Sequence, residues 1–183
     1  MMDTTARPEI EMELDRGTHD VTTSTVLIFE DFYRQNCDAV ARALAVTLGD
    51  GELAADAMNE AMTKAYQRWS KISLYDNPAA WAYRVGLNWA LSWKRRRRRE
   101  RDRPVQLSAS HSELRLRDDS LDAAVAALSV DHRAVVVCRI HMDWSVEQTA
   151  VALDLKPGTV KSRLARALEQ LKNTMDANQE VQA

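Results

Sequence analysis

Eight of the ten residues from Lys94 to Arg103 are Lys or Arg, opposed by Glu100 and Asp102, so this stretch carries +6 in a chain whose formal net charge is −2. Such a concentration is placed and asks for a polyanion, while the run alone fits a solvated charge run equally well, so its surroundings must decide. A second set of donors lies between Lys156 and Lys172, where Thr159, Lys161, Ser162, Arg163, Arg166 and Gln170 accompany a local charge of +4. Hydroxyl, guanidinium and amide groups at these spacings suit phosphates and base edges. Covalent chemistry has no comparable residues. Cys37 and Cys138 stand apart, as do His19, His111, His132 and His141, so neither metal-ligand spacing nor a disulfide framework is present. No glycine loop for phosphates and no nucleophile elbow occurs. The expectation is a non-enzymatic binding protein with no cofactor and no metal, both cysteines being reduced core residues.

The elements that must hold these donors are helical. In 183 residues there are five Gly and four Pro, and 45% of the side chains are apolar, enough to bury real cores. No run approaches the roughly 20 apolar residues of a membrane span, and no apolar leader opens the chain. A cytosolic protein is expected. Residues 1–24 hold six acids against Arg7 and Arg16 and read as a disordered acidic arm. Apolar residues at helical spacing then run from Leu27 through Phe29, Tyr33, Cys37, Val40 and Leu44 to Leu48, before the turn Gly49-Asp50-Gly51. A second helix, about Glu52 to Trp69, turns Ala54, Ala57, Met58, Ala61, Met62 and Ala65 inward. Its other side is a polar strip of Asp56, Asn59, Glu60, Thr63 and Gln67. Periodicity alone does not separate a wet surface from a docking strip.

Asn77-Pro78 restarts the chain as a helix with Pro in its first turn. On a wheel of about 100° per residue, Trp81, Ala82, Val85, Gly86, Trp89 and Trp93 cover one broad side, with Leu87 and Leu91 behind. What remains polar is a column of Arg84, Asn88, Ser92 and Arg95, which continues into Arg96 and the rest of the basic run. A groove with an Asn, flat rings and a cationic ramp suits a nucleic-acid strand. Each Trp taken singly reads as core before it reads as a stacking platform.

Periodicity fails over residues 102–119, which read as a linker whose Leu107, Leu114 and Leu116 are more apolar than a free spacer needs. Residues 120–173 restore it, with Ser120 and Ser129 as expected N-caps and Val135, Val136, Cys138, Ile140 and Met142 inward. Ser145 to Leu153 is a short helix, Asp154-Leu155-Lys156 a tight turn, and Pro157 opens a helix reaching about Leu171. This is a helix-turn-helix, with small Ala150 admitting close approach. The fold expected is all-α: a helical bundle over 25–101 and a four-helix domain over 120–173, joined by a flexible linker, with 174–183 as a tail.

The run from Trp144 to Leu168, most specifically Gly158-Thr-Val-Lys-Ser-Arg-Leu164, resembles the promoter-reading domain of bacterial extracytoplasmic-function sigma factors. Ala55-Asp56-Ala57-Met58-Asn59-Glu60-Ala61 is similar to that family's polymerase-binding helix, and Trp81 to Arg99 to its minus-ten element helix. The resemblance covers about residues 27 to 172, and with no additional ligand-binding domain expected after Leu171 it implies the minimal two-domain form. It implies core RNA polymerase and promoter DNA as partners, and it allows an anti-sigma protein as a third. Asp56, Asn59, Glu60 and Thr63 would dock on polymerase. Arg84, Asn88 and Ser92, with the loop Ser70 to Asn77, would hold an unpaired minus-ten base beside Arg95 and Arg96. Thr159, Lys161, Ser162, Arg163 and Arg166 would read the minus-thirty-five element. Asn59 stands where Gln is common and Ser92 where Asp is frequent. Asp154 takes a turn position usually held by Gly, which requires a positive φ. The alternative is a free-standing helix-turn-helix regulator with an N-terminal dimerisation or sensing domain.

Overall fold

The computed structural model describes residues 16–101 and 119–182, every regular element of which is helical. The first helix, α1 (Arg16–Leu48), ends where Gly49 takes φ +63° and donates its N–H to the Ala45 carbonyl at 2.9 Å. Asp50 then caps α2 (Gly51–Gln67), its carboxylate accepting from the Leu53 N–H at 3.0 Å. A single turn, α3 (Trp69–Ile72), leads to α4 (Pro78–Arg101), capped by the Asn77 side chain, which accepts from the Ala80 N–H at 2.9 Å.

Small residues set how closely α2 and α4 pack. A Cβ on Gly86 would lie 2.9 Å from Leu44 Cδ1 and 3.0 Å from the Ala57 carbonyl oxygen, so only glycine fits that crossing. The buried side of α4 is therefore Ala79, Ala82, Tyr83, Gly86, Leu87 and Ala90. Trp81, Trp89 and Trp93, expected inside, are half-buried. A gap narrowed by alanine and glycine has no room for indoles, which line its rim instead. Within the bundle the hydroxyls of Thr47 and Tyr83 share a buried hydrogen bond of 2.7 Å.

The second half comprises α5 (Asp119–Ala127), α6 (Val130–Val136), which widens into a π-turn over Val137–His141, α7 (Val146–Leu153) and α8 (Pro157–Gln182). Ser129 caps α6 as expected, accepting from the His132 N–H at 3.3 Å. Ser145 and Gln148 form a reciprocal capping box at 3.0 and 2.9 Å. Asp154 ends α7 at φ 57°, the left-handed conformation that the resemblance implies for this turn position. Val135, Ala150 and Val160 are buried together under this turn, and Ala124, Leu128, Val136, Ala167 and Leu171 form a neighbouring cluster.

Several boundaries differ from expectation. Residues 16–24 of the acidic arm belong to α1, which meets no helix breaker after Gly17; residues 1–15 and linker residues 102–118 lie outside the described residues. Ser120 sits inside the first turn of α5, which begins one residue earlier, at Asp119. The tail expected from 174 continues α8 to Gln182, helped by Met175, which packs against the Ala124 cluster. Ile140 is 60% exposed, because the wider π-turn carries it off the core face it would hold in an unbroken α-helix.

The two halves are in contact. Ala134, Val137, Cys138, Trp144 and Ala152 join one apolar cluster with the buried residues of α1, α2 and α4. The Trp144 and Tyr83 rings meet edge to face, centroids 5.7 Å apart. Arg133 donates to the Leu128 carbonyl at 3.0 Å and, across the boundary, to the Val46 carbonyl at 3.4 Å. Burial pushes the Tyr83 phenol well up and the Cys138 thiol to about 12, so both stay protonated at neutral pH.

Candidate nucleic-acid interface

The polar column on α4 exists as a physical surface, and its members differ in availability. Asn88 is exposed. Ser92 accepts from Arg95 Nη2 at 2.9 Å. Arg84 is engaged across the domain boundary: it donates to the Val151 carbonyl at 3.2 Å and pairs with Asp154 Oδ2 at 3.0 Å. The upper end of the column thus touches the first helix and turn of the helix-turn-helix. Between them lies a cleft of about 650 Å³, walled by Tyr75, Asn77, Trp81 and Arg84 on one side and by Gln148 and Val151 on the other. Leu74, 82% exposed, stands at its mouth.

The basic run divides by task. Lys94 donates to the Leu48 carbonyl at 3.1 Å and so closes the C-terminus of α1, where a cation is favoured by the helix dipole. Arg97 lies over the Trp93 ring, 4.8 Å from its centroid. Arg95, Arg96, Arg98 and Arg99 remain exposed along one projecting helix. Such a row presents charge without base-edge geometry, which suits phosphates.

On α8, Lys161, Ser162 and Arg166 are exposed, and Thr159 is half-buried where the helix begins. Ser162 donates to the Thr159 carbonyl at 3.1 Å. Arg163 was expected on the open face with Arg166. Its side chain is only 29% exposed and pairs with Asp131 Oδ2, in the first turn of α6, at 3.1 Å. This face of α8 therefore carries exposed donors at 161 and 166, a Ser162 hydroxyl turned back onto its own helix, and one guanidinium held by its own domain.

The strip on α2 is open at Asp56, Asn59 and Thr63, while Glu60 is half-buried and paired with Lys64 at 2.8 Å, one turn on. Next to it is an aromatic group absent from the sequence-based reading. Tyr66 is 52% exposed, and the Phe29 ring packs against its edge at 5.1 Å, with Tyr33 also on the surface. Its signal was present in the spacing, because position 66 extends the strip 59, 63 at helical period. The strip thus adds to its carboxylates and amide exposed aromatic rings, the residue type enriched at protein interfaces.

Neither cysteine is in a disulfide; Cys138 is buried as expected, and Cys37 only partly so. Among the described residues no group of His, Cys, Asp and Glu could hold a metal ion, and no helix is long and apolar enough to cross a membrane.

Comparison with known proteins covers both halves. Residues 32–100 match the family model of Sigma-70 region 2, and residues 118–171 that of Sigma-70, region 4. The chain is 34% identical over 160 residues to the RNA polymerase sigma-E factor of Streptomyces coelicolor, spanning 83% of this chain and 88% of that one. It is 32% identical over 141 residues to the ECF RNA polymerase sigma factor SigL of Mycobacterium tuberculosis, with 69% and 77% covered. In fold it is similar to the sigma factor RpoE of Bartonella quintana, solved in complex with the anti-sigma factor NepR, at a TM-score of 0.68 and 23% identity, over 81% of this chain and 96% of that one.

Proposed function

This chain belongs to the extracytoplasmic-function sigma factors of RNA polymerase, and from that premise we propose how its surfaces divide the work of starting transcription. The strip of Asp56, Asn59, Glu60 and Thr63, with Tyr66 beside it, docks on core RNA polymerase. Asn88 and Ser92, joined by Arg84 and the loop Ser70 to Asn77, hold an unpaired base of the minus-ten element. Capturing that base offsets the few kcal/mol of unstacking that strand opening costs. Arg95 and Arg96 neutralise the phosphates that follow. Thr159, Lys161, Ser162, Arg163 and Arg166 enter the major groove at the minus-thirty-five element. Neither DNA surface needs to bind tightly alone, since polymerase makes the second contact intramolecular. The work is binding and melting, without catalysis by this chain, and it belongs in the cytoplasm. An anti-sigma protein is a further partner in keeping with the fold.

The observation that carries this reading is the continuity of the column at Asn88 and Ser92 with the exposed arginines of the same helix, two turns from base-sized access to phosphate-sized charge. The match of residues 32–100 to region 2 disfavours a free-standing regulator with a dimerisation domain. Run-off transcription with purified core polymerase tests it: transcripts from a cognate promoter should require this chain. A chain that instead binds palindromic DNA alone and adds nothing to core polymerase would overturn the reading.

A further inference from the structure

We infer that Asp131 is a positioning residue for promoter reading: from the start of α6 its carboxylate aims the Arg163 guanidinium of α8 and so fixes which base pair that side chain addresses. The inference rests on the proposed reading of the minus-thirty-five element by α8, and the variants below let the two fail separately.

The place of Arg163 on its helix creates the need. Val160, Ala167 and Leu171 are buried and mark the inner face of α8. At about 100° per residue, Arg163 lies roughly 60° from the centre of that face and Arg166 roughly 120° from it. Arg166 therefore leaves the helix toward water. Arg163 leaves it along the flank, with the domain surface on one side and solvent on the other. A side chain so long has many rotamers there, and ordering it at the moment of binding costs entropy. A guanidinium that wanders meets phosphates as readily as base edges, and phosphates carry no sequence.

Another helix supplies the restraint. Arg163 Nη2 lies 3.1 Å from Asp131 Oδ2, and its side chain is only 29% exposed although that of Asp131 is 65% exposed. The anchor is itself fixed: Asp131 stands in the first turn of α6, which Ser129 caps through the His132 N–H. Helix α6 packs on α8 through Val136, Ala167 and Leu171, so the carboxylate and the arginine belong to one packed unit. A single contact of this kind leaves the other N–H groups of the guanidinium fork to meet a base edge, in a plane set before DNA arrives.

Charge argues the same way. From Lys156 to Lys172 the helix holds five cations against Glu169, and Arg163 and Arg166 stand three positions apart, a spacing at which like charges repel. The fold brings a carboxylate from another element onto Arg163, while among the described residues Arg166 has no ion-pair partner. An acid in the first turn of a helix also favours the helix dipole, a local role that would be indifferent to Arg163. Promoter preference separates the two roles.

The full chain and its variants are each combined with core polymerase and offered a promoter pool randomised over the minus-thirty-five element; bound DNA is sequenced to give the preference at each position. The variants are Asp131→Asn, Asp131→Glu, Arg163→Ala, the double Asp131→Asn with Arg163→Ala, and Arg166→Ala as the control on the reading of α8. Affinity for a duplex of mixed sequence is measured alongside, and circular dichroism follows the thermal transition.

Asp131→Asn should flatten the preference at one or two adjacent positions by roughly 3- to 10-fold, part of the worth of a well-placed base contact. The remaining positions should stay within about 2-fold, and mixed-sequence duplex should bind no more weakly than to the wild type, since no phosphate contact is lost. Arg163→Ala should flatten the same positions, and the double variant should lose no more than Arg163→Ala alone. Asp131→Glu, which keeps the carboxylate, should remain within about 2-fold of the wild type. A wild-type profile in Asp131→Asn would overturn the inference, as would a further loss in the double variant or an even loss at all positions with a lowered thermal transition. If Arg163→Ala and Arg166→Ala both left the profile unchanged, the reading of α8 would fall and the inference with it.

Discussion

The two helices proposed to face DNA are built on opposite plans. Helix α4 is nearly surrounded by protein, so its polar groups are confined to one narrow column, and the residue at the top of that column is held by the other domain through Asp154. Helix α8 lies at the margin of a small domain with Lys161, Ser162 and Arg166 open to solvent, and the one guanidinium it restrains, Arg163, is held by Asp131 within the same domain. A restraint inside a domain survives any rearrangement of domains; a restraint between domains does not. The restraint on α8 is thus set within its own domain, whereas the top of the α4 column depends on the contact between domains. Specificity at the two elements should then respond differently to the same kind of substitution.

The largest effect expected is on the frame that both plans share. Gly86→Val drives two methyls into Leu44 and the Ala57 backbone, where a Cβ alone already comes within 2.9 and 3.0 Å. Overpacking of this kind costs about 1–3 kcal/mol, and backbone on one side leaves little room to relax. Because the second domain's Trp144 and Ala152 lie in the same cluster, the thermal transition should fall as one cooperative step. A variant in which only one half melts early, seen by hydrogen exchange at α7 against α2, would show the two halves to be energetically independent.

Next come the two DNA surfaces themselves. Arg166→Ala should lose about 1–3 kcal/mol of discrimination at the minus-thirty-five element, the worth of one well-placed base contact, with polymerase binding unchanged. Asn88→Ala should leave closed complexes intact and reduce melting, read as lost permanganate reactivity at the minus-ten element. If Asn88→Ala weakened closed and open complexes equally, the column would be a general contact surface and the contrast with α8 would collapse.

How much of this was legible in the sequence follows the distance over which each feature is decided. The helix-turn-helix was readable almost residue by residue, since the turn at Asp154 and Pro157 at the start of α8 are set within one or two turns of chain; the equally local Ser145–Gln148 capping box is a signal the periodicity reading missed. The column of Arg84, Asn88 and Ser92 was readable because helical period alone gathers it. Its occupancy was not, because Arg84 and Asp154 are 70 positions apart and no local pattern marks one as the partner of the other. The half-exposure of Trp81, Trp89 and Trp93 was hidden for a related reason. A wheel ranks residues by hydrophobicity, but the separation of α2 and α4 is fixed by Gly86 and the alanines, and that separation excludes indoles. The exposed face of Ile140 depends on one extra residue in a π-turn, which carries no signature in composition.

The smallest effect, and the one that most sharpens the contrast, concerns Asp131. Its carboxylate is 65% exposed, so its pair with Arg163 is screened by water and worth under about 1 kcal/mol of stability. Asp131→Asn should hardly move the thermal transition or the distance between domains. It should still alter promoter choice, because an Arg163 released from α6 can turn toward the groove or lose the orientation that made it selective. The expected outcome is a change of a few-fold in the ratio of run-off transcripts from promoters differing at a single minus-thirty-five position, with equal output when that element is deleted. The same measurement on Asp154→Asn should show the reverse: unchanged choice at the minus-thirty-five position, and a gain in the free protein's affinity for single strands. Should both substitutions shift both readouts, the two restraints would be parts of one coupled network, and the separation drawn between α4 and α8 would have to be given up.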